Sequence, residues 1–375
     1  MIKKSIAVIG PFNTRGGREV EAGFIGSVLS NYYNVKVFST QFLENDNDLL
    51  QVDKELDIYK KHSPLKYKIL DKVGVRKLKK ELYFKSQKNS NVTSYAQVLK
   101  NTDLIIIVAQ VISHGLRIII NNAIQSRTKI LFRTTGTIQY LNFNSIQKSE
   151  GLILEKVDYY IHHSKDNANR LLATINHKFK IIDQCVVNQE DLVRERQPKL
   201  EIKKFFCCSR LDKNKDVATV IKAFNKLSKH DVELHIYGAG SEAIHLKNLS
   251  LNKNIYFHGH VDYKKLPSKI ADKHCLIISS KEEAGPYSAL EAMCLGIPII
   301  STKVGSMEDR FNGLSISWFN HGKEEELKKA ILNYREKGKD EISKMSKDLS
   351  NRYHNKYDKT LVAKQYLNLV KKVLE

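Results

Sequence analysis

Two glutamates and two cations give this chain its most pointed chemistry. Glu283 and Glu291 stand with seven residues between them in the stretch LIISSKEEAGPYSALEAMCLGIPIIST, Leu276 to Thr302. A carboxylate accepts two hydrogen bonds from a vicinal diol, so this pair suits a polyhydroxyl ligand. Arg210 and Lys215 lie five positions apart in the run SRLDKNKD. Arg can hold two anionic oxygens in a fork, whereas Lys acts as a point charge. Cations aimed at a leaving group that gains negative charge, such as a pyrophosphate, stabilise the transition state more than the ground state.

The elements that must position these groups can be read from the apolar pattern. Leu276–Ile278 is an apolar run expected to form a buried strand, and Gly285 and Pro286 break the chain into a turn after it. A helix is expected from about Tyr287, carrying Glu291 in its first turn and ending near Gly296-Ile297-Pro298. The start of such a helix has backbone N–H groups without partners and a partial positive charge, which favours an anionic or polyhydroxyl ligand. Phe205 to Ser209 reads as another buried strand, placing Arg210 at its end. Lys215 would precede a helix marked by Val217, Val220, Ile221, Phe224 and Leu227 at helical spacing.

The string EAGPYSALEAMCLGIPII resembles the E-x7-E segment of retaining glycosyltransferases of the GT-B fold, chiefly family 4 (glycosyl transferases group 1). SRLDKNKD is similar to the R-x4-K signature of the same family. The resemblance implies an α/β chain of two Rossmann-like domains facing across a cleft. It implies transfer from a nucleotide-diphosphate sugar with retention at the anomeric carbon and without a metal. Arg210, Lys215 and Glu283 would then be catalytic, with Glu283 toward the donor hexose and Glu291 on the nucleotide's ribose. Because Pro286 lacks an N–H, backbone donors to the sugar and phosphates would come from Gly285, Tyr287 and Ser288.

The same resemblance extends along the chain in outline. Gly16 and Gly17 lie in the loop after a first strand, Ile6–Ile9, and match the family's Gly-Gly loop at the donor phosphates. That loop lacks the G-x-G-x-x-G of a dinucleotide fingerprint. Gly238, at the end of VELHIYGAG, is a further donor-side candidate. On the acceptor side the family carries a histidine at a strand end where this chain has Arg133, Thr134 and Thr135; Arg133, Thr134 and the nearby His114 are the candidates. In KVGSMEDRFNG, Ser306 and Asp309 replace residues of the family's V-G-G-x-x-E.

The alternation of strand and helix patterns predicts parallel β-sheets. An N-terminal acceptor domain is expected over 1–190 and a C-terminal donor domain over 200–355. The charged stretch Asn188–Lys204 would link them, and a terminal helix over 356–375 would return to the first domain. No apolar run approaches the ~20 residues that span a bilayer. The start, MIKKSIAVIG, reads as a buried strand rather than a signal peptide. Five cysteines without metal or disulfide spacing suit a reducing compartment, the cytoplasm. Asp46 and Asp48 spell D-x-D, but their setting suits a helix cap better than a metal site.

The formal net charge of +21 favours an anionic partner. It concentrates in Lys60 to Lys88, where eleven Lys or Arg face two acids among aliphatic and aromatic residues. That composition fits either a helix or loop lying peripherally on the inner, anionic face of a membrane, or a solvated helix face. Gly74 and Pro64 argue against one unbroken helix there. No nucleic-acid-binding module is evident, and nucleic acid is not expected as a partner. No cofactor is implied beyond the nucleotide-diphosphate sugar as co-substrate, a UDP-sugar first among them. The reading is a hexosyltransferase acting on a glycan or lipid-linked acceptor in cell-surface polysaccharide assembly. An epimerase or hydrolase of sugar nucleotides on the same fold is the alternative.

Overall fold

The computed structural model describes residues 3–12, 17–40, 57–62, 83–86, 92–110, 116–138, 153–197 and 200–375. The chain divides into two compact units. One comprises residues 1–182 with 363–375, the other residues 183–362. The boundary therefore falls between Ile182 and Asp183, earlier than the charged stretch suggests.

The first unit contains strands β1 (Ser5–Gly10), β2 (Asn34–Ser39), β3 (Asp57–His62), β4 (Tyr83–Ser86), β5 (Val92–Ser94), β6 (Leu104–Ala109), β7 (Lys129–Thr134), β8 (Tyr159–His162) and β9 (Phe179–Ile181). They form one sheet in the order β5-β4-β3-β2-β1-β6-β7-β8-β9. The seven strands from β3 to β9 in this order run parallel, while β3–β4 and β4–β5 are antiparallel. β1, β6 and β7 are nearly continuous apolar runs because helices cover both faces of such a sheet. The order reverses between β1 and β6, and Gly17–Ser30 is the helix after β1.

One sequence expectation changes here. Lys60–His62 and Tyr83–Ser86 are paired strand residues, and Phe84 is buried in the core, so these two segments of the basic stretch do not form a membrane-lying helix. The segment between them, 63–82, lies outside the described residues, as do Asp46, Asp48, Gly16 and His114.

The second unit has a wholly parallel sheet of six strands. These are β10 (Lys204–Cys208), β11 (Glu233–Tyr237), β12 (Ile255–Gly259), β13 (Cys275–Ile278), β14 (Ile299–Ser301) and β15 (Ser317–Trp318), in the order β12-β11-β10-β13-β14-β15. Alternate residues serve opposite faces. Phe205, Cys207, Cys275 and Ile277 join one apolar cluster, whereas Phe206, Leu276 and Ile278 join the other. None of the five cysteines is in a disulfide, and four are buried. No helix among the described residues is long and apolar enough to cross a membrane.

The stretch expected to be a linker is part of this unit. Residues Gln189–Glu195 form a helix, and Leu192 is buried in the second apolar cluster. The Gln189 side chain is held by the Tyr353 hydroxyl, the Asp358 carboxylate and the Lys359 N–H. Charge on one face of a short helix masked the apolar anchor on the other. The last helix, Lys359–Leu374, starts in the second unit, and from Ala363 onward belongs to the first. There Tyr366 packs edge-on against Phe24 and donates to Glu21.

Candidate active site

In an open parallel sheet, ligands bind beyond the C-terminal ends of strands where the order reverses. In the second unit that place lies between β10 and β13. The loop after β10 carries Arg210 and Lys215, and the loop after β13 carries Glu283. The two loops are fastened to each other. Ser279 donates through its hydroxyl to the Lys215 carbonyl at 2.8 Å, and the Lys281 N–H to the Asn214 carbonyl at 2.8 Å. Asn214 returns a side-chain bond to the Glu282 carbonyl at 2.8 Å.

This fastening brings Lys215 and Glu283 together. The Lys215 ammonium pairs directly with the Glu283 carboxylate, which also accepts from the Ser280 hydroxyl at 3.1 Å. Lys215 sits on a single tight 3₁₀ turn, Lys213–Lys215, capped by Asp212, which accepts from the N–H groups of Asn214 and Lys215. Asp216 then adopts a left-handed backbone, φ 46°, and caps the helix Val217–Asn225 through Thr219. A short side chain that bonds locally tolerates this conformation. Arg210 does not join the pair. Its side chain is 79% exposed, and its ionic partner is Asp212 at 3.3 Å.

The turn after Glu283 is pressed onto the element beyond β14. A β-carbon on Gly285 would lie 2.7 Å from Ser306 Oγ and 2.8 Å from Arg310 Nη2, so any other residue would have to displace one of these side chains. The Ser306 N–H donates to the Ala284 carbonyl at 2.8 Å. Arg310, fully buried, donates to the Pro286 carbonyl at 2.6 Å and forks onto both oxygens of Asp183 at 2.8 and 2.7 Å. Sequence reasoning passed over Arg310 and Asp183. The available signal was an arginine beside Met307 and Phe311 on an apolar helix face, which requires a buried partner.

The helix Tyr287–Leu295 begins at the expected residue, with Pro286 as N-cap and Gly296 closing its C-terminus. Tyr287 and Ser288 carry two of the N–H groups that a helix start leaves without an intrahelical partner. The Tyr287 hydroxyl accepts from the Val187 N–H at 2.9 Å and lies 3.4 Å from that of Tyr263. Glu291 falls in the second turn, not the first. It is 4% exposed, and its carboxylate has no ion pair or hydrogen bond among the described residues. Burial alone pushes its pKa up from 4.5 to about 7. The nearby thiol of Cys208 and hydroxyls of Tyr263 and Tyr287 are raised well above their ordinary range, first by burial and further by the charge of Glu291. They stay neutral beside it at neutral pH. Ser306 Oγ is a second buried polar atom without a partner.

Other expected site residues have structural employment. Gly238, φ 146°, lets the backbone after β11 lie against the Ser209 carbonyl, where any β-carbon would overlap that oxygen. Arg133 is fully buried in the first unit and is not presented to an acceptor. It donates to Glu21 at 2.6 Å, to the Ile182 carbonyl at 2.7 Å and to His163 Nδ1 at 2.6 Å. Thr134 is also buried, donating to the Ile161 carbonyl at 3.1 Å and lying 2.9 Å from His162 Nδ1. Its neighbour Thr135 has a buried hydroxyl without a partner. Gly17 opens the helix Gly17–Ser30.

Comparison with known proteins places this geometry. Residues 188–353 match the family model Glycosyl transferases group 1. An uncharacterized glycosyltransferase of Methanocaldococcus jannaschii, MJ1069, is 30% identical over 200 residues, covering 48% of this chain and 50% of the relative. The chain spans half or less of the length of the curated relatives it matches. Among solved structures, a glycosyltransferase from Rickettsia africae is similar with TM-score 0.77 at 17% identity, covering 100% of this chain and 99% of that one. The structure of Anabaena Alr3699/HepE in complex with UDP and glucose is similar with TM-score 0.72 at 15% identity, over 98% and 100% of the two chains. The fold is that of the GT-B glycosyltransferases, two Rossmann-like units.

Proposed function

We propose that this chain, with a Glycosyl transferases group 1 segment in its second unit, is a retaining hexosyltransferase. Its donor is a nucleotide-diphosphate sugar, foremost a UDP-sugar, and its acceptor a glycan or lipid-linked saccharide of a cell-surface polysaccharide. The observation that carries this reading is Glu291, a buried and unpartnered carboxylate on the helix whose mouth adjoins the Lys215–Glu283 pair. A ribose diol supplies the two donors that such a carboxylate lacks. The relative from Anabaena, solved with UDP and glucose, supports the donor class.

In the reaction the bond from the anomeric carbon to the diphosphate oxygen breaks, and its electron pair leaves on the diphosphate. The acceptor hydroxyl forms the new bond on the same face and gives up its proton. Lys215 and the N–H groups at the start of Tyr287–Leu295 meet the charge that grows on the diphosphate, without a metal. Arg210, its side chain exposed to solvent, approaches as the second cation. Glu283 orients the hexose. The buried thiols suit a cytoplasmic setting.

Thermal-shift screening of nucleoside diphosphates tests the donor. UDP is expected to raise the Tm, and no response to any of them would overturn the assignment. UDP release from the matching UDP-sugar should require an acceptor saccharide. Release or conversion at full rate without one would favour an epimerase or hydrolase instead.

A further inference from the structure

We infer that Arg310 and Asp183 are positioning residues that set the direction of the Tyr287 backbone N–H at the diphosphate, beside a Gly285 N–H whose peptide is held by Ser306; this rests on the donor reading above. A trans peptide points its C=O and the adjoining N–H in opposite directions. Two carbonyls of the turn before Tyr287 are drawn toward the same short helix, Met307–Phe311, and its N-cap. The Ala284 carbonyl is held by the Ser306 N–H at 2.8 Å, and the Pro286 carbonyl by Arg310 at 2.6 Å. The N–H groups of Gly285 and Tyr287, on the far sides of those two peptides, are thereby turned away from that helix. Neither has a hydrogen-bond partner among the described residues. Pro286, between them, has no N–H to compete.

The Pro286 carbonyl would otherwise serve mainly as the first acceptor of its own helix, and that bond, from the Ala289 N–H, is long at 3.3 Å. Arg310 is the shorter and charged partner. Its own direction is set by Asp183, which takes two of its donors in a fork. Gly285 closes against the Arg310 guanidinium and Ser306 Oγ, so the turn cannot sink further toward them. An apolar residue could fill the volume of Arg310, but it could not hold a carbonyl. The fork therefore keeps a peptide from rotating, and the rotation it prevents would aim a carbonyl oxygen at an anion.

The test compares UDP with uridine, which shares the nucleoside and lacks the phosphates. For Arg310→Lys, UDP affinity measured by calorimetry is expected to fall about ten- to a hundredfold, with uridine affinity unchanged. Asp183→Asn, which keeps the shape of the fork, should lose UDP affinity in the same direction by less. A loss of general folding would weaken both ligands alike and overturn the inference, as would unchanged UDP binding in both variants. Ligand-free ¹H–¹⁵N spectra decide the peptide geometry separately. The Tyr287 amide signal should move in both variants, while signals of β10 and β11 stay in place. If that amide moves but the unaltered protein does not prefer UDP to uridine, the donor reading fails and the peptide-setting role stands. If it does not move, that role is excluded.

Discussion

The strand end of β7 and the turn after β13 are each met by a buried arginine, to opposite effect. After β7, Arg133 is buried against Glu21, His163 and the Ile182 carbonyl, and Thr134 against His162 and Ile161. Apart from the Thr135 hydroxyl, the polar groups of that region satisfy one another. At the turn after β13, the same kind of buried arginine, Arg310 from the helix beyond β14, is turned on the backbone, and a buried carboxylate, Glu291, is left alone among the described residues. Arginine at a strand end marks a ligand site only where the structure leaves its surroundings incomplete. A saturated network stabilises a fold, whereas an unsatisfied one awaits a partner.

Removing groups from the two regions should therefore be felt in different measurements. Arg133→Met leaves Glu21 buried without its cation and should destabilise the first unit by on the order of 3–5 kcal/mol in chemical unfolding. Adding Glu21→Gln should restore much of that, and failure to do so would show the network matters for more than charge. Lys215→Ala is expected to lower turnover by about 10²–10³-fold with a modest change in Tm. Turnover within threefold of the parent would remove Lys215 from the mechanism.

Glu291→Gln sharpens the contrast through pH. The folded pKa of Glu291 is about 7 against an ordinary 4.5, so the folded state binds the extra proton between those values. Stability falls as pH rises through that window, and the penalty is complete above it. The substitution should thus stabilise the protein at pH 8 by roughly 2–3 kcal/mol and change little at pH 4, while weakening donor binding. A pH-independent effect would contradict the solitary carboxylate. Arg210→Ala should alter stability by less than about 0.5 kcal/mol, because its exposed pair with Asp212 contributes little. Its effect on turnover should be smaller than that of Lys215→Ala.

The strand–turn–helix around Glu283 and Glu291 was legible because apolar spacing, Gly285-Pro286 and Gly296 all mark the same boundaries. The parallel sheets were legible in unbroken apolar runs such as Leu104–Ala109. Three things were not legible. Charge in 188–204 concealed that Leu192 is anchored in the core. The antiparallel pairs β3–β4 and β4–β5 sit at the sheet edge, where basic residues and a buried Phe84 share short strands. Arg133 read as a loop cation and Arg310 drew no reading at all, since burial depends on partners such as Glu21 and Asp183 more than a hundred residues away. Glu291 has the same cause: helix spacing puts it near an anionic site, but only packing shows that nothing neutralises it.

Under the proposed ribose contact, the solitary carboxylate makes nucleotide capture an acid–base event. Near pH 6 Glu291 is largely protonated, and a ribose that donates hydrogen bonds to it favours the ionised form. Binding must then expel a proton into the buffer. Heats measured in buffers of different ionisation enthalpy should diverge below pH 7 and converge above it, so acidification of the surroundings would loosen the proposed hold on the donor.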